Sequence, residues 1–284
     1  MTEIEDNIKN VKDYYDTSTK WYDWFYYDKE SLGLHYGFWE SKKDSKKDAL
    51  TNQYKIIKDL LKPQKDELIL DAGCGVGGAS IWLAEHTEAK YMGITLSEEQ
   101  VRFAQKYIKR RRVEKRVKVQ VGNYLDTKFP DKYFDKVFGI ESMCYAYPKP
   151  LSLYKEIYRV LKPGGKFVIS DGVYLRKPKN DSERKISIDY CNGFKLVDMI
   201  TPTEIMKDLK EAGFRDIKTI DKTKEIKKSI DYIDSRSKLV KPLRFLRYFN
   251  LVSQTEVENL LATLNQKNMY ETGLFGYAVF ASEK

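Results

Sequence analysis

Cysteine is scarce in this chain of 284 residues, confined to Cys74, Cys144 and Cys191. Three scattered thiols frame neither a set of disulfides nor a zinc site, so they read as free thiols suited to a reducing compartment. Long apolar runs are missing as well, since none reaches the roughly 18 residues that a membrane-spanning helix needs. The first residues, Met1-Thr2-Glu3-Ile4-Glu5-Asp6, lack the charged-then-apolar plan of a secretory signal, and a cytoplasmic protein is expected. No RNA-module signature, internal repeat or low-complexity tract occurs, so no nucleic-acid partner is expected.

What is present suits one full α/β domain with a large core and an appended cap, not two large independent domains. The formal charge is +9, and cations crowd at Lys106, Lys109, Arg110, Arg111, Arg112, Lys115, Arg116 and Lys118. The plain reading is a solvated helix end, where the helix dipole favours cations. The sharper reading is attraction to an anionic membrane surface or a diphosphate-bearing substrate.

Strand-like apolar runs alternate with helical stretches: strand 67–71, helix 77–86, strand 89–94, helix 97–111, strands 117–121 and 135–140, helix 150–161 and strand 166–170. A helix over 49–61 precedes them and ends at Lys62-Pro63. This βαβ alternation predicts a mostly parallel sheet with helices on both faces. Past Asp171 come polar segments, a helix near 203–212, a strand near 214–220, a helical insertion over about 226–264 and a final strand over 274–282. Within the insertion, Lys238, Lys241, Arg244 and Arg247 interleave with Leu239, Val240, Leu243, Phe245, Leu246, Tyr248 and Phe249. That pattern suits a helical cap with one buried face, or one that also touches a lipid surface.

Residues 66–78 carry the strongest signal. A short apolar strand runs into Asp71 and then a turn built on Gly73, Gly75, Gly77 and Gly78. Such glycines let the backbone turn sharply and a ligand approach the main chain, with the free N–H groups of the next helix alongside. Gly73, Gly75 and Gly78 satisfy G-x-G-x-x-G, yet a dinucleotide site needs an acid about 20 residues on, at the tip of the second strand. That tip reads Tyr91-Met92-Gly93-Ile94-Thr95 and carries none. The acid precedes the glycines instead.

This arrangement resembles the first motif of S-adenosylmethionine-dependent methyltransferases. The resemblance extends through residues 68–78, 93–100, 134–145 and 157–170, which fall in that family's order and approximate spacing. Gly93-Ile94-Thr95 followed by Gln100 is similar to the branch that methylates carbon in sterols and other isoprenoids, with the tocopherol-type and cyclopropane fatty acid synthase branches nearby. Asn192-Gly193 and Thr201-Pro202-Thr203-Glu204 add a later echo. The resemblance implies a class I, Rossmann-like α/β fold, with a doubly wound, mostly parallel seven-stranded sheet. It would carry an N-terminal helical lid over 1–48, a cofactor-binding core over 49–175, a helical cap region over 176–264 and a closing strand within 265–284.

The resemblance further implies S-adenosyl-L-methionine as cofactor, and no metal. The loop from Asp71 through Gly73, Cys74, Gly75 and Gly77 would hold its methionine part, Thr95, Leu96 and Gln100 would face the ribose, and Asn123 and Tyr124 the adenine. Asn123 departs from the family's usual acid there, although an amide oxygen still accepts from an adenine amino group; its plain alternative is to cap a turn. Glu141, after the fourth strand, would stand beside the sulfonium, where a carboxylate can stabilise a carbocation, remove its proton or bind a substrate amine.

The segment Tyr14, Tyr15, Trp21, Tyr22, Trp24, Phe25, Tyr26, Tyr27, His35, Tyr36, Phe38 and Trp39 is crowded with rings. It is expected to be part core and part lid, each ring face attracting a desolvated cation by up to about 2 kcal/mol. Tyr14, Tyr22 and His35 therefore join Glu141 as candidates for the reacting centre, although a histidine such as His35 is more often packed than catalytic. The expectation is C-methylation of an apolar isoprenoid or lipid-like alkene through a carbocation. Its rivals are an N- or O-methyltransferase of a small metabolite or phospholipid head group, a cyclopropane-forming lipid enzyme, and a catalytically silent S-adenosylmethionine sensor or scaffold. Homo-oligomerisation and peripheral membrane contact stay open.

Overall fold

The computed structural model describes residues 3–25, 28–240 and 254–284, with side chains over 6–20, 28–238 and 262–284. The side chains of Trp21, Tyr22, Trp24, Phe25, Leu239 and Val240, and all of Tyr26, Tyr27 and residues 241–253 with Lys241, Arg244 and Arg247, lie outside the described residues.

The expected sheet forms from seven strands: β1 (Leu68–Ala72), β2 (Lys90–Thr95), β3 (Val117–Val121), β4 (Phe134–Ile140), β5 (Leu161–Tyr174), β6 (Arg215–Asp221) and β7 (Phe275–Glu283). Their order is β3-β2-β1-β4-β5-β7-β6. The first five pair in parallel, and β7 runs antiparallel between β5 and β6. Ile69, Phe138 and Val168 enter one core layer and Leu70, Val137 and Ile169 the other. Burial on both faces is why these strands read as continuous apolar runs.

Nine helices are described: α1 (Glu3–Phe25), α2 (Lys46–Leu61), α3 (Gly78–His86), α4 (Glu98–Arg111), α5 (Pro150–Val160), α6 (Asp181–Phe194), α7 (Pro202–Glu211), α8 (Lys227–Val240) and α9 (Gln254–Glu271). Ile57, Ile81 and Ala104 bring α2, α3 and α4 onto the layer of Ile69, while Leu153 and Leu209 bring α5 and α7 onto the other. Ser45 with Asp48 and Thr201 with Glu204 form reciprocal capping boxes that start α2 and α7, each cap contributing about 1 kcal/mol.

The polar stretch after Asp171 holds a helix, α6, which hydropathy conceals. Its inward face carries Ser187 and Gly193 beside Tyr190 and Cys191, while Ile188 is 57% exposed. The helical insertion also runs further than expected, since α9 continues to Glu271 before β7 begins. α9 contacts both α6 and α8, so these three helices form a cap. Among the described residues, no helix is long and apolar enough to cross a membrane.

From β1 the chain winds out to β2 and β3, then returns to β4 on the other side. Ligands bind at the carboxyl ends of strands beside such a switch point. Asp71, Thr95 and Glu141 stand at those ends.

Candidate active site

The turn after β1 is anchored by the N–H groups of Gly73 and Cys74, which both donate to Ile94 O at 3.0 and 2.9 Å. Gly73, Gly75 and Gly77 all have left-handed φ, at 86°, 54° and 79°, but they serve different ends. A Cβ on Gly73 would stand 2.4 Å from Ser142 Cβ, so that position lets the segment after β4 close on the loop. A Cβ on Gly75 would meet only Gln100 Nε2, at 3.8 Å. Room against the main chain is therefore left at Gly75. Gly77 is the N-cap of α3, where unpaired helix N–H groups begin.

Asp71 is buried, and its Oδ2 accepts from Ser80 Oγ at 2.7 Å, tying β1 to α3. Burial pushes its carboxyl up to about 7, against the opposing Ser80 bond. Thr95 Oγ1 donates to Gln100 Oε1 at 2.5 Å, and the Tyr124 hydroxyl donates to Ser142 O at 2.7 Å. Asp71, Gly73, Cys74, Gly75, Thr95, Leu96, Gln100 and Tyr124 line one cavity of about 120 Å³ together with Glu141 and His35. Gly77 and Asn123 are not part of that lining. Asn123 Oδ1 instead accepts from the Leu125 N–H at 2.9 Å, the geometry of a capped turn.

Glu141 directly follows β4 with φ 47°, a left-handed backbone that costs a non-glycine residue about 1–3 kcal/mol. Its N–H donates to Ser170 O at 2.9 Å. Its Oε1 accepts from the Tyr36 N–H at 2.8 Å and the Tyr277 hydroxyl at 2.9 Å. Gln53 Nε2 in turn donates to the Tyr277 oxygen at 2.6 Å and to Ser170 Oγ at 2.7 Å. Burial pushes the Glu141 carboxyl up to about 8; the Tyr36 N–H opposes this, Asp171 adds to it and the Tyr277 hydroxyl opposes it. The surface that Glu141 retains faces inward, because it lines both the first cavity and a second of about 190 Å³.

The second cavity is walled by rings, among them Tyr14, Tyr15, Tyr36, Trp39, Tyr145 and Tyr190. Asp171 also lines it, accepts from the Cys144 N–H at 3.0 Å and is pushed up to about 6 by burial. His35 lines both cavities, but its Nδ1 faces Tyr36 O at 3.0 Å, so that nitrogen carries the proton. Burial lowers it to about 4. His35 is thus a neutral, packed ring near neutral pH.

The N-terminal segment closes over this region. In α1, Asn7 Nδ2 donates to Tyr145 O at 3.2 Å, the Tyr15 and Tyr145 hydroxyls meet at 3.0 Å, and Asp16 accepts from Ser97 Oγ at 2.5 Å. Tyr14 lines the second cavity and Tyr15 both, whereas the Tyr22 side chain is outside the described residues. Trp39 Nε1 donates to Ser229 Oγ at 2.9 Å, joining the entering chain to α8. Asp171, Tyr277, Gln53 and Gln266 belong to the site and are not singled out by the sequence. Asp171 could have been found as an acid after an apolar strand run; Tyr277 and Gln53 sit inside elements without a local signal.

A family profile described as a methyltransferase domain matches residues 70–169. The 24-methylenesterol C-methyltransferase 3 of Arabidopsis thaliana is 35% identical over 184 residues, covering 63% of this chain and 50% of the relative. The chain spans about half the length of the curated relatives it matches. Among solved structures, the cyclase SpnF has a TM-score of 0.78 at 20% identity, covering 96% of this chain and 94% of its own. The geranyl diphosphate C-methyltransferase of Streptomyces coelicolor, in complex with Mg2+, geranyl diphosphate and S-adenosyl-L-homocysteine, has a TM-score of 0.71 at 20% identity, covering 98% and 97%. At such identity the structural likeness speaks for the fold. With the sheet order, it follows that this chain has the class I, Rossmann-like fold, within which residues 70–169 match the methyltransferase-domain profile.

Proposed function

We propose that the chain transfers a methyl group from S-adenosyl-L-methionine to a carbon of an isoprenoid or sterol-like alkene. The observation that carries this reading is the position of Glu141, a carboxylate on the wall shared by the glycine-loop cavity and the ring-lined one. The fold alone would not carry it, because one fold hosts several chemistries. The relative in Arabidopsis is named as a sterol C-methyltransferase, and the Streptomyces neighbour as one acting on geranyl diphosphate.

The residues present fit the cofactor. Gly75 leaves space against the main chain, Asp71 offers a carboxylate, Thr95 and Gln100 form a bonded polar pair, and Tyr124 presents a ring. Leu96 adds apolar surface to the same wall. When bound there, S-adenosyl-L-methionine supplies an electrophilic methyl on a sulfonium. The alkene's electron pair forms the new carbon–carbon bond, and positive charge develops on the neighbouring carbon. Ionised Glu141 stabilises that charge and accepts the proton whose loss restores a double bond. The Tyr36 N–H and Tyr277 hydroxyl fix the carboxylate's direction, and the rings add cation–π attraction. The mostly apolar, ring-rich lining disfavours water that would capture the cation.

An amine acceptor is the second reading, favoured by Asp171, since two carboxylates and several rings would also hold an ammonium group. The three free cysteines accord with a cytoplasmic location. Methyl-labelled cofactor offered with sterols, prenyl alcohols and diphosphates, quinols, fatty acyl lipids and amines tests the assignment. Label on an alkene carbon supports it. Label on nitrogen alone favours the amine, and cofactor binding without any transfer returns the chain to the sensor class.

A further inference from the structure

The second cavity has two chemically unlike walls. Glu141 and Asp171 come from the strand ends, while the cap contributes Gln266 from α9. Gln266 is only 1% exposed, and its Nε2 has no hydrogen-bond partner among the described residues. A buried amide donor left without a partner is rare and costly, and here it belongs to a residue lining the cavity. Nearby polar groups are already engaged. Ser229 Oγ accepts from the Gly37 N–H and Trp39 Nε1 and donates to Gly37 O, and Thr263, also on α9, accepts from Ser237 Oγ.

Among its described residues the cavity is poorly equipped for an anion. Lys46 is the one cation lining it among the described residues, and its ammonium lies over the Tyr232 ring at 5.3 Å. Burial lowers the Lys46 pKa, so further desolvation disfavours its charge. No group of three or more metal-ligating side chains occurs among the described residues. A diphosphate would bring several negative charges into a space already holding two carboxylates, which low-dielectric surroundings penalise unless each charge is paired.

Resting on the C-methyltransferase reading above, we propose that Gln266 donates a hydrogen bond to a neutral oxygen, a hydroxyl or carbonyl, on an otherwise apolar substrate, and that the cavity takes this class in preference to a diphosphate. The substrate's apolar body faces the rings, and its single polar atom satisfies the amide. Selection then depends on one neutral donor, with no cationic clamp among the described residues.

The test measures binding to the full chain in the presence of S-adenosyl-L-homocysteine. One ligand series is a side-chain-unsaturated 3-hydroxysterol with its 3-keto and 3-deoxy analogues. A second is geraniol, its deoxygenated hydrocarbon and geranyl diphosphate with Mg2+. In the skeleton that fits, the oxygenated ligands should bind about tenfold or more tightly than the deoxygenated one. Gln266→Met should erase that preference while leaving the hydrocarbon's affinity unchanged. Tighter binding of the diphosphate than of the alcohol, equal binding of alcohol and hydrocarbon, a preference that survives in Gln266→Met, or no binding of any probe by cofactor-competent protein would each overturn the proposal. The comparison across ligands on the unaltered chain stands even where the variant misfolds. Failure of the C-methyltransferase reading shows separately, as absence of label transfer from methyl-labelled cofactor.

Discussion

Glu141→Gln keeps the side chain's volume and its acceptor oxygen for the Tyr36 N–H and Tyr277 hydroxyl, and removes only the ionisable charge. Catalysis and stability should respond in opposite directions. Loss of an electrostatic stabiliser or general base should lower turnover roughly 100-fold or more. The wild-type carboxyl has an ordinary value of 4.5 and is pushed up to about 8 in the fold. Between those values the folded chain binds more protons than the unfolded chain, so stability falls as pH rises and the loss is complete above about 8. At ~1.4 kcal/mol per pH unit, ionising the unfolded reference from pH 4.5 to 7 amounts to at most roughly 3 kcal/mol at pH 7. Thermal melts of both ligand-free proteins from pH 5 to 9 check this. The curves should nearly coincide at pH 5 and separate progressively, with Glu141→Gln melting several degrees higher near pH 8. Asp71 is also raised and remains in both proteins, so the difference reports Glu141 together with its coupling to Asp171. A variant equally displaced at every pH, or one with full turnover, would refute the argument.

Tyr277→Phe removes a donor that holds Glu141 down, so the acidic limb of the kcat/KM profile, where Glu141 ionises, should move up by about one pH unit; an unmoved limb removes Tyr277 from the mechanism. Gly75→Asn, a side chain that tolerates the left-handed φ of 54° at this position, should leave a folded protein that calorimetry finds unable to bind S-adenosyl-L-methionine, because the added side chain occupies the open space at that turn. Gly73→Ala should instead destabilise by about 2 kcal/mol or more in urea unfolding, through its approach to Ser142 and its left-handed φ. Removing residues 1–25 should spare the fold, since neither core cluster draws a buried residue from the described side chains of α1, yet abolish label transfer by opening the Tyr14 and Tyr15 wall; full turnover would show α1 to be dispensable.

What the sequence reveals about this site follows the range of the interactions. The strand entering Asp71, the glycine turn and Thr95 with Gln100 are local patterns, and Asp71, Gly73, Gly75, Gly78, Thr95 and Gln100 line the same cavity. At Asn123 position alone leaves two roles open, since an amide at a strand end serves a turn as readily as a ligand, and its oxygen accepts from the Leu125 N–H. The α6 helix escaped notice because the cap, not the central core, decides which of its faces is covered. Ser187 lies inward and Ile188 outward, the reverse of what hydropathy suggests.

The partners of Glu141 were hidden for a topological reason. Acids at the carboxyl ends of parallel strands are found by walking forward from each apolar run, a rule that reaches Asp71 and Glu141 and would have reached Asp171. β7 runs the other way, so its amino end lies beside the carboxyl ends of its neighbours, with Phe275 opposite Tyr174 and Tyr277 opposite Gly172. The third residue of a closing strand therefore reaches a centre whose other parts lie at the ends of earlier strands, across 136 residues of chain. In a parallel sheet with one reversed strand, polar residues near the start of that strand belong in the search from the outset. Tyr277, fully buried yet bonded through its hydroxyl to both Glu141 and Gln53, is the residue such a search would return.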